Sequence, residues 1–171
     1  SERSRDAVIK ILDHVPARAL RVLDVNLRPP FVDSKIIETS LLRANVLKLN
    51  EHELPALARM LGLAAVSVGG QLSELGNRFA LRLIALTRGS AGSLLWSPNQ
   101  VVEHPGVAIR VVDSIGAGDA FTAAMTLAYL RGWKLDRINQ FAGEVAAFAC
   151  THAGATTTLD KYETFRGKIL Q

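Results

Sequence analysis

Short runs of Val, Ile and Leu alternate along the chain with longer stretches in which apolar residues recur every three or four positions. The first pattern is typical of buried strands and the second of amphipathic helices. Strands are predicted at 19–26, 45–49, 83–87, 93–96 and 100–103, the last two joined by a Ser-Pro-Asn turn. Helices are predicted at 4–14, 33–43, 50–62, 65–80, 118–131, 135–152 and 160–169.

This alternation of strands and helices predicts an α/β fold, with a mostly parallel sheet flanked by helices. The sequence has no internal repeat, low-complexity tract or linker, so a single domain covering 1–171 is expected. Polar residues cluster just after several of the predicted strands. Because ligands of open α/β folds bind outside the carboxyl ends of the strands, these clusters are the candidate site residues.

Composition narrows the class of protein. Apolar residues make up 49% of the chain and charged residues 21%, as in ordinary soluble domains. The formal net charge is +4, but the basic residues are scattered, so no nucleic-acid partner is expected. Cys150 is the only cysteine, no apolar segment reaches 18 residues, and the first residues lack an apolar signal core. We therefore expect no membrane partner and a cytoplasmic location.

The segment 111–121 carries the clearest chemistry, since a short strand, a glycine-rich turn and a helix start are predicted there. The amides of Gly116, Ala117 and Gly118 would point at solvent from a helix N-terminus and form an anion site. Asp119 adds a carboxylate beside that site, and the combination suits phosphoryl transfer to a hydroxyl. The alternative is an ordinary helix start, in which the glycines make the turn and the acid complements the helix dipole.

The string Asp-Ser-x-Gly-Ala-Gly-Asp-x-Phe at 113–121 resembles the C-terminal signature of the PfkB (ribokinase-like) carbohydrate kinases, of a fructokinase-like kind. It fixes seven of nine positions, and neither the P-loop pattern nor the dinucleotide pattern occurs in the chain. The resemblance implies a ribokinase-like layered fold and ATP-dependent phosphorylation of a sugar or sugar-like hydroxyl. Asp119 would be the general base and the Gly116–Gly118 amides the anion hole, with ATP and Mg²⁺ as cofactors.

A second polar cluster, Asp24-x-Asn26-x-Arg28, follows the first predicted strand. Asn and Asp at strand ends are often only turn formers. The spacing is nevertheless similar to that of sugar kinases in this family, where the Asn and Arg face the site between sugar and phosphates. The resemblance assigns Asn26 and Arg28 to substrate or phosphate binding, for which a guanidinium fork is suited.

A third cluster, Asn50-x-x-Glu53, follows the second predicted strand. It has the spacing of a capping box at the start of a helix, which is a sufficient structural explanation. It is also similar to the family's N-x-x-E motif near Mg²⁺ and the phosphates. On that resemblance Glu53 holds Mg²⁺ through water, while Asn50 and Lys48 bind ATP.

Two turns and one acid complete the resemblance. Thr87-x-Gly89 resembles the family's T-x-G segment at the nucleotide, with a β-turn as the structural alternative. Gly154 resembles part of the loop that lines the adenine, with a helix C-cap as the alternative. Asp113, together with the Ile115 carbonyl, is similar to groups that hold a monovalent cation such as K⁺ in several relatives. Its alternative role is to cap the glycine turn.

The five clusters occur in the family's order over nearly the whole chain. Family members are considerably longer, and their N-terminal half supplies the first strands, the lid and most of the sugar specificity. The chain therefore resembles the nucleotide-binding, catalytic half of such a kinase without the N-terminal strands and lid. We expect that half alone to be inactive, and the full-length parent to bind a small-molecule sugar and ATP and to form a homodimer. The alternatives are a nucleotide-binding fragment or degenerate relative without independent turnover, and a nucleoside kinase.

Overall fold

The computed structural model describes residues 2–28, 30, 32–155 and 163–170. Its helices are α1 (Glu2–His14), α2 (Ser34–Leu41), α3 (Glu53–Leu61), α4 (Val68–Arg78), α5 (Ala117–Leu130), α6 (Leu135–Cys150) and α7 (Glu163–Leu170). Its strands are β1 (Val22–Asp24), β2 (Val46–Asn50), β3 (Leu83–Thr87), β4 (Ser93–Ser97) and β5 (Gln100–His104). A single 3₁₀ turn, Gly89–Ala91, separates β3 from β4.

The strands follow the sheet order β1-β2-β3-β4-β5. The β1 and β2 strands pair in parallel, whereas β4 and β5 form an antiparallel pair, so the sheet is mixed. This confirms the predicted α/β class and the predicted pairing of the last two strands. The chain divides into two compact units, Ser1–Ile84 and Ala85–Gln171. A single domain covering both stays a prediction.

In the first unit, β2 supplies the centre of the core. Residues 46–49 of this strand are all buried. Asn45, immediately before them, fixes the entry of β1 with its side-chain amide. Its Oδ1 accepts from the Arg21 amide at 2.8 Å, and its Nδ2 donates to the Ala19 carbonyl at 2.8 Å. A buried polar side chain with both ends satisfied therefore sets β1 beside β2.

Helix ends in the first unit follow the capping rules that the sequence predicts. The Asp33 carboxylate accepts from the amides of Lys35 at 2.8 Å and Ile36 at 3.3 Å, and it caps α2. Gly62 ends α3 in the left-handed conformation, with φ of +62°.

In the second unit, the β4–β5 hairpin packs against the alanine-rich helix α6, and α6 packs in turn against α5. Met125, Ala128 and Ala142 are fully or almost fully buried between these elements. Ser93 Oγ donates to Asn139 Oδ1 at 2.7 Å, and both residues are buried. This polar contact attaches α6 to β4 inside an otherwise apolar layer.

Helix α7 joins the second unit through aromatic side chains. The Phe165 ring makes edge contacts with Phe148 at 5.4 Å and with Phe141 at 6.1 Å between ring centroids. The helix predicted at 160–169 is confirmed from residue 163 onwards, and its first three positions lie outside the described residues.

Strand β1 is shorter than the predicted strand at 19–26. The amide of Ala19 donates to the Pro16 carbonyl at 2.9 Å, which makes a turn at the predicted start. Asn26 has a φ of +44°, which is incompatible with an extended strand and ends the run.

The strand predicted just before the glycine turn is wrong. Residues 107–114 contain no strand, and Val111 and Val112 are each 60% exposed. The amides of Val112 and Asp113 instead donate to the Cys150 carbonyl, at 2.8 and 3.2 Å. The end of α6 therefore takes the hydrogen bonds that a neighbouring strand would have supplied.

Candidate active site

The Asp113 carboxylate organises the turn before α5. Its Oδ1 accepts from the Ile115 amide at 3.0 Å, and its Oδ2 accepts from the Gly154 amide at 2.9 Å. These two N–H donors, that of Ile115 foremost, hold the pKa of Asp113 below its usual value. A negative charge at neutral pH therefore joins two loops that are 41 residues apart in sequence. The capping role is present, and the cation role stays a prediction.

Gly116 is the residue at which the chain turns into α5. It has a φ of +82°, and a Cβ built on it would lie 2.5 Å from the Ala155 carbonyl oxygen. Only glycine fits both the backbone conformation and the space. Gly118, in contrast, lies inside the first turn of α5, where its carbonyl accepts from Thr122 Oγ1 at 2.9 Å.

The amides at the start of α5 are only partly satisfied. Ala117 N donates to the Ser114 carbonyl at 3.3 Å, and Ala120 N donates to the Gly116 carbonyl at 2.9 Å. Between them, the amides of Gly118 and Asp119 have no acceptor in the part of the chain that the structure describes. Two adjacent N–H groups at a helix N-terminus can hold an anion.

Asp119 follows directly in the first helical turn, and its side chain is exposed. An exposed carboxylate beside two unpaired amides can accept a proton from a bound hydroxyl. Gly116 makes the turn and the Ala117 amide bonds to the Ser114 carbonyl, and the anion site predicted over Gly116–Gly118 stays a prediction.

The predicted nucleotide residues Thr87 and Gly89 lie at the end of β3 and in the turn that follows it. Gly89 has a φ of +55° and begins the 3₁₀ turn. Arg88 fixes this turn, because its Nη2 donates to the Ala91 carbonyl at 3.1 Å and lies 2.7 Å from Glu103 Oε1. The turn is therefore joined to β5 by an ion pair, and contact with a nucleotide stays a prediction.

Gly154 lies four residues beyond the end of α6, with a φ of +85°. Its amide is the one that bonds Asp113. The predicted C-cap role is therefore replaced by a link to the start of α5. Cys150, at the end of α6, is half-buried, and burial raises the pKa of its thiol.

In the first unit, the polar residues at the ends of β1 and β2 form two groups. The first is a buried ion pair between register partners on the two strands. Lys48 Nζ lies 3.1 Å from Asp24 Oδ1, and the two side chains are 6% and 18% exposed. Asp24 was not among the predicted site residues, and only its spacing in the D-x-N-x-R cluster could have indicated it.

The second group is a capping box, as the spacing of Asn50 and Glu53 predicts. Asn50 Oδ1 accepts from the amides of His52 at 2.9 Å and Glu53 at 3.0 Å. In return, Glu53 Oε2 accepts from the Asn50 amide at 2.8 Å. The other carboxylate oxygen, Oε1, accepts from the Leu27 amide at 3.1 Å. Glu53 is buried, so one carboxylate fixes both the start of α3 and the loop after β1.

Asn26 and Arg28, on that same loop, are exposed. Neither side chain hydrogen-bonds to another described residue. Their predicted contact with substrate or phosphate is therefore open to a ligand, and it stays a prediction.

A depression of about 470 Å³ lies in the first unit beside α3. Its lining consists of the two capping residues with several apolar and two basic side chains: Leu27, Val32, Asn50, His52, Glu53, Ala56, Arg59 and Met60. Two of these, His52 and Arg59, were not predicted, because isolated exposed basic residues on a helix carry no sequence signal.

The family model described as "pfkB family carbohydrate kinase" matches residues 1–162 of this chain. The chain belongs to the pfkB family.

Relatives of this pfkB chain carry different kinase names. An uncharacterized sugar kinase of Pyrococcus horikoshii is 31% identical over 173 residues, which is 96% of this chain and 51% of the relative. An ATP-dependent ribose-1-phosphate kinase of Halopiger xanaduensis is 30% identical over 68% of this chain and 36% of its own. This pfkB chain therefore spans about half, or less, of the length of these curated relatives.

Solved structures confirm the fold. The Pyrococcus horikoshii protein, solved in complex with ATP, superposes with a TM-score of 0.77 over 97% of this chain and 53% of its own, at 30% identity. The nucleoside kinase of Methanocaldococcus jannaschii gives a TM-score of 0.77 over 97% of this chain and 53% of its own, at 21% identity. The pfkB chain has the ribokinase-like α/β fold.

The metal and membrane predictions can be compared with the described residues of this pfkB chain. Within that part, no three His, Cys, Asp or Glu residues are grouped as a metal site would require. Each Glu53 oxygen accepts one backbone N–H, and a carboxylate oxygen has a second lone pair. That donor set fits Mg²⁺ through water, because Mg²⁺ keeps several of its waters. Over the same ranges, no helix combines the length and apolarity that a membrane span needs.

Proposed function

We propose that this chain is part of an ATP-dependent kinase that phosphorylates a hydroxyl of a sugar or sugar-like alcohol. The observation that carries the proposal is the start of α5, where exposed Asp119 adjoins the amides of Gly118 and Asp119 itself, neither of which has an acceptor among the described residues. Membership of the pfkB family and the ATP complex of the Pyrococcus horikoshii relative support it.

In the proposed reaction the acceptor hydroxyl oxygen attacks the γ-phosphorus of ATP, and the bond from that phosphorus to the oxygen of ADP breaks. The hydroxyl proton passes to the Asp119 carboxylate. The amides of Gly118 and Asp119 hold the negative oxygens of the phosphoryl group as it transfers. Because the donors are backbone groups fixed by the helix, they need no rearrangement at the moment of reaction.

The remaining predicted residues take supporting roles in this proposal, each within its own unit. In the second unit, Thr87, Gly89 and Gly154 contact the nucleotide, and the Asp113 carboxylate would help to hold K⁺, since it keeps lone pairs that the two amides do not use.

In the first unit, Asn50 and Lys48 bind ATP phosphates, and Asn26 and Arg28 contact substrate or phosphate. Glu53 holds Mg²⁺ through water. Mg²⁺, when bound, neutralises charge on the phosphates.

The test is Asp119→Asn in the full-length protein. Turnover should fall by about 10²–10⁴-fold, the usual contribution of a general base, while ATP still binds with unchanged affinity. Asp136 is a matched control, since it is also exposed in the first turn of a helix, α6. Asp136→Asn should turn over normally. An Asp119→Asn enzyme as active as the control would remove Asp119 from the mechanism.

A nucleoside kinase is the second candidate, favoured by the match to the nucleoside kinase of Methanocaldococcus jannaschii at 26% identity over 70% of this chain. Comparing ADP release with a panel of sugars and a panel of nucleosides separates the two. The D-x-N-x-R spacing favours the sugars.

A further inference from the structure

Asp24 and Lys48 form an ion pair in a position where stability alone does not require one. They are register partners at the end of β1 and in β2, 3.1 Å apart, and Lys48 is 5% exposed as a whole residue. Taking two charges out of water costs about as much as their attraction returns. An apolar pair of similar volume would often be equally stable or more so.

The position of the pair places it next to residues with proposed roles. Side chains of a strand alternate between faces, so Lys48 and Asn50 share one face of β2. Asn50 starts the capping box, and Asn26 lies two residues beyond Asp24. An ammonium has three N–H donors, and one of those of Lys48 is used by Asp24. Its other two N–H donors suit anionic oxygens near the carboxyl ends of β1 and β2.

We propose that Asp24 is a positioning residue. Its carboxylate holds the Lys48 ammonium near the carboxyl ends of β1 and β2, where the ammonium meets the phosphates of ATP. The proposal rests on the proposed function, because it takes ATP as the ligand. A lysine has a long stem with many rotamers, and fixing one of them in advance removes an entropic cost from binding. Asp24 acts through Lys48 and touches no substrate.

The experiment is a double-mutant cycle in the full-length protein, with Asp24→Asn, Lys48→Met and the double variant. The dissociation constant of ATP is measured by calorimetry, KM and kcat by turnover, and stability by urea unfolding. Losing one hydrogen bond to a charged group weakens binding by roughly 10- to 100-fold. Both single variants should weaken ATP binding by about this factor, with the KM of the acceptor largely unchanged.

The double variant separates a positioning role from a structural one. Asp24→Asn leaves a buried ammonium without its counter-charge, so it should be less stable than wild type. The double variant removes both charges and should recover that stability, yet bind ATP as weakly as Lys48→Met alone. A double variant with wild-type ATP affinity would show that the pair is structural only and would overturn the proposal. So would an Asp24→Asn protein that binds ATP normally.

Asp13→Asn is the matched control, because Asp13 pairs with Arg43 at 2.8 Å on the surface of the same unit. It should leave ATP affinity unchanged. Failure of the proposed function has a different signature, namely a wild-type protein that transfers no phosphate to any acceptor. The ATP affinities of the four proteins still decide the role of Asp24 in that case. If Asp24→Asn does not fold, a Lys48→Met protein with wild-type ATP affinity would still overturn the proposal, because the proposal requires Lys48 to meet the phosphates.

Discussion

The glycines of Gly116-Ala117-Gly118 have different physical roles, although they are two residues apart. Gly116 has the positive φ and meets the Ala155 carbonyl, while Gly118 is an ordinary helical residue. The sequence indicates a glycine-rich helix start here. It does not show which glycine is strained, because the contact with Ala155 joins positions 39 residues apart. The link from Asp113 to Gly154 has the same long-range character.

Gly116→Ala and Gly118→Ala should therefore have different effects on stability. A left-handed non-glycine residue costs about 1–2 kcal/mol, and the clash with Ala155 adds to that, so Gly116→Ala should melt at a lower temperature. Gly118 is the second residue of α5 and has no positive φ, so Gly118→Ala should melt close to the wild-type temperature.

Turnover is measured on the same full-length preparations. It should fall in Gly118→Ala despite its stability, because the new methyl group lies beside the donor amides. Normal turnover in that variant would show that Gly118 is a helix residue only.

The start of α3 shows how one side chain can serve two elements. The capping box of Asn50 and Glu53 is predictable from their spacing of three residues, and the structure contains it. The hydrogen bond from the Leu27 amide to Glu53 is not predictable in this way, because it joins residues 26 apart in the sequence. Both carboxylate oxygens hold backbone amides, which makes this acid a structural residue whatever ligand it also holds.

Glu53→Gln should destabilise the protein. Glutamine has nearly the same shape but replaces one acceptor oxygen with an NH₂ group that faces a backbone N–H. A buried donor left without an acceptor costs about 1–3 kcal/mol, measurable by urea unfolding. Glu51, exposed in the same turn, is the control, and Glu51→Gln should unfold like wild type. Equal stability of the two variants would contradict the bonding described for Glu53.

Asp113 gives the turn before α5 a dependence on acid. The amides of Ile115 and Gly154 lower the pKa of its carboxyl below the reference value of 3.8. Because the folded pKa is lower than the unfolded one, this stabilisation is complete above the unfolded pKa. It is lost as the pH falls below 3.8 and through the folded value. Unfolding free energies measured from about pH 6 downwards should fall more gently in Asp113→Asn than in wild type. Parallel curves would contradict the assignment.

At the scale of the whole chain, the order and type of the elements were predictable because the periodic patterns are long and clear. The exception, the strand before the glycine turn, failed for a tertiary reason: the Cys150 carbonyl takes the amides of Val112 and Asp113. The Asp24–Lys48 ion pair was also not predictable from the sequence, because it depends on the register between β1 and β2. The chain spans 51% of its Pyrococcus horikoshii relative, so its activity without the rest of a full-length kinase is a separate question.

The 171-residue chain by itself should bind ATP weakly and release no ADP in the presence of sugars. Phosphoryl transfer needs an acceptor held in line and shielded from water. The resemblance to pfkB kinases predicts that the N-terminal half supplies both functions. Calorimetry with ATP and a coupled ADP assay, run on the chain and on the full-length protein, test this. Sugar-dependent ADP release by the chain alone would refute it.

We expect the exposed apolar run before Asp113 to affect the tendency of the protein to aggregate during storage. Val107, Ile109, Val111 and Val112 are 36–60% exposed, and they form no strand with the rest of the unit. Six residues from 107 to 112 include one charge and no proline, which is the composition of segments that pair between molecules. In concentrated solution we expect this exposed run to associate with the same run of a second copy. Turbidity would then report pairing between intact molecules rather than unfolding.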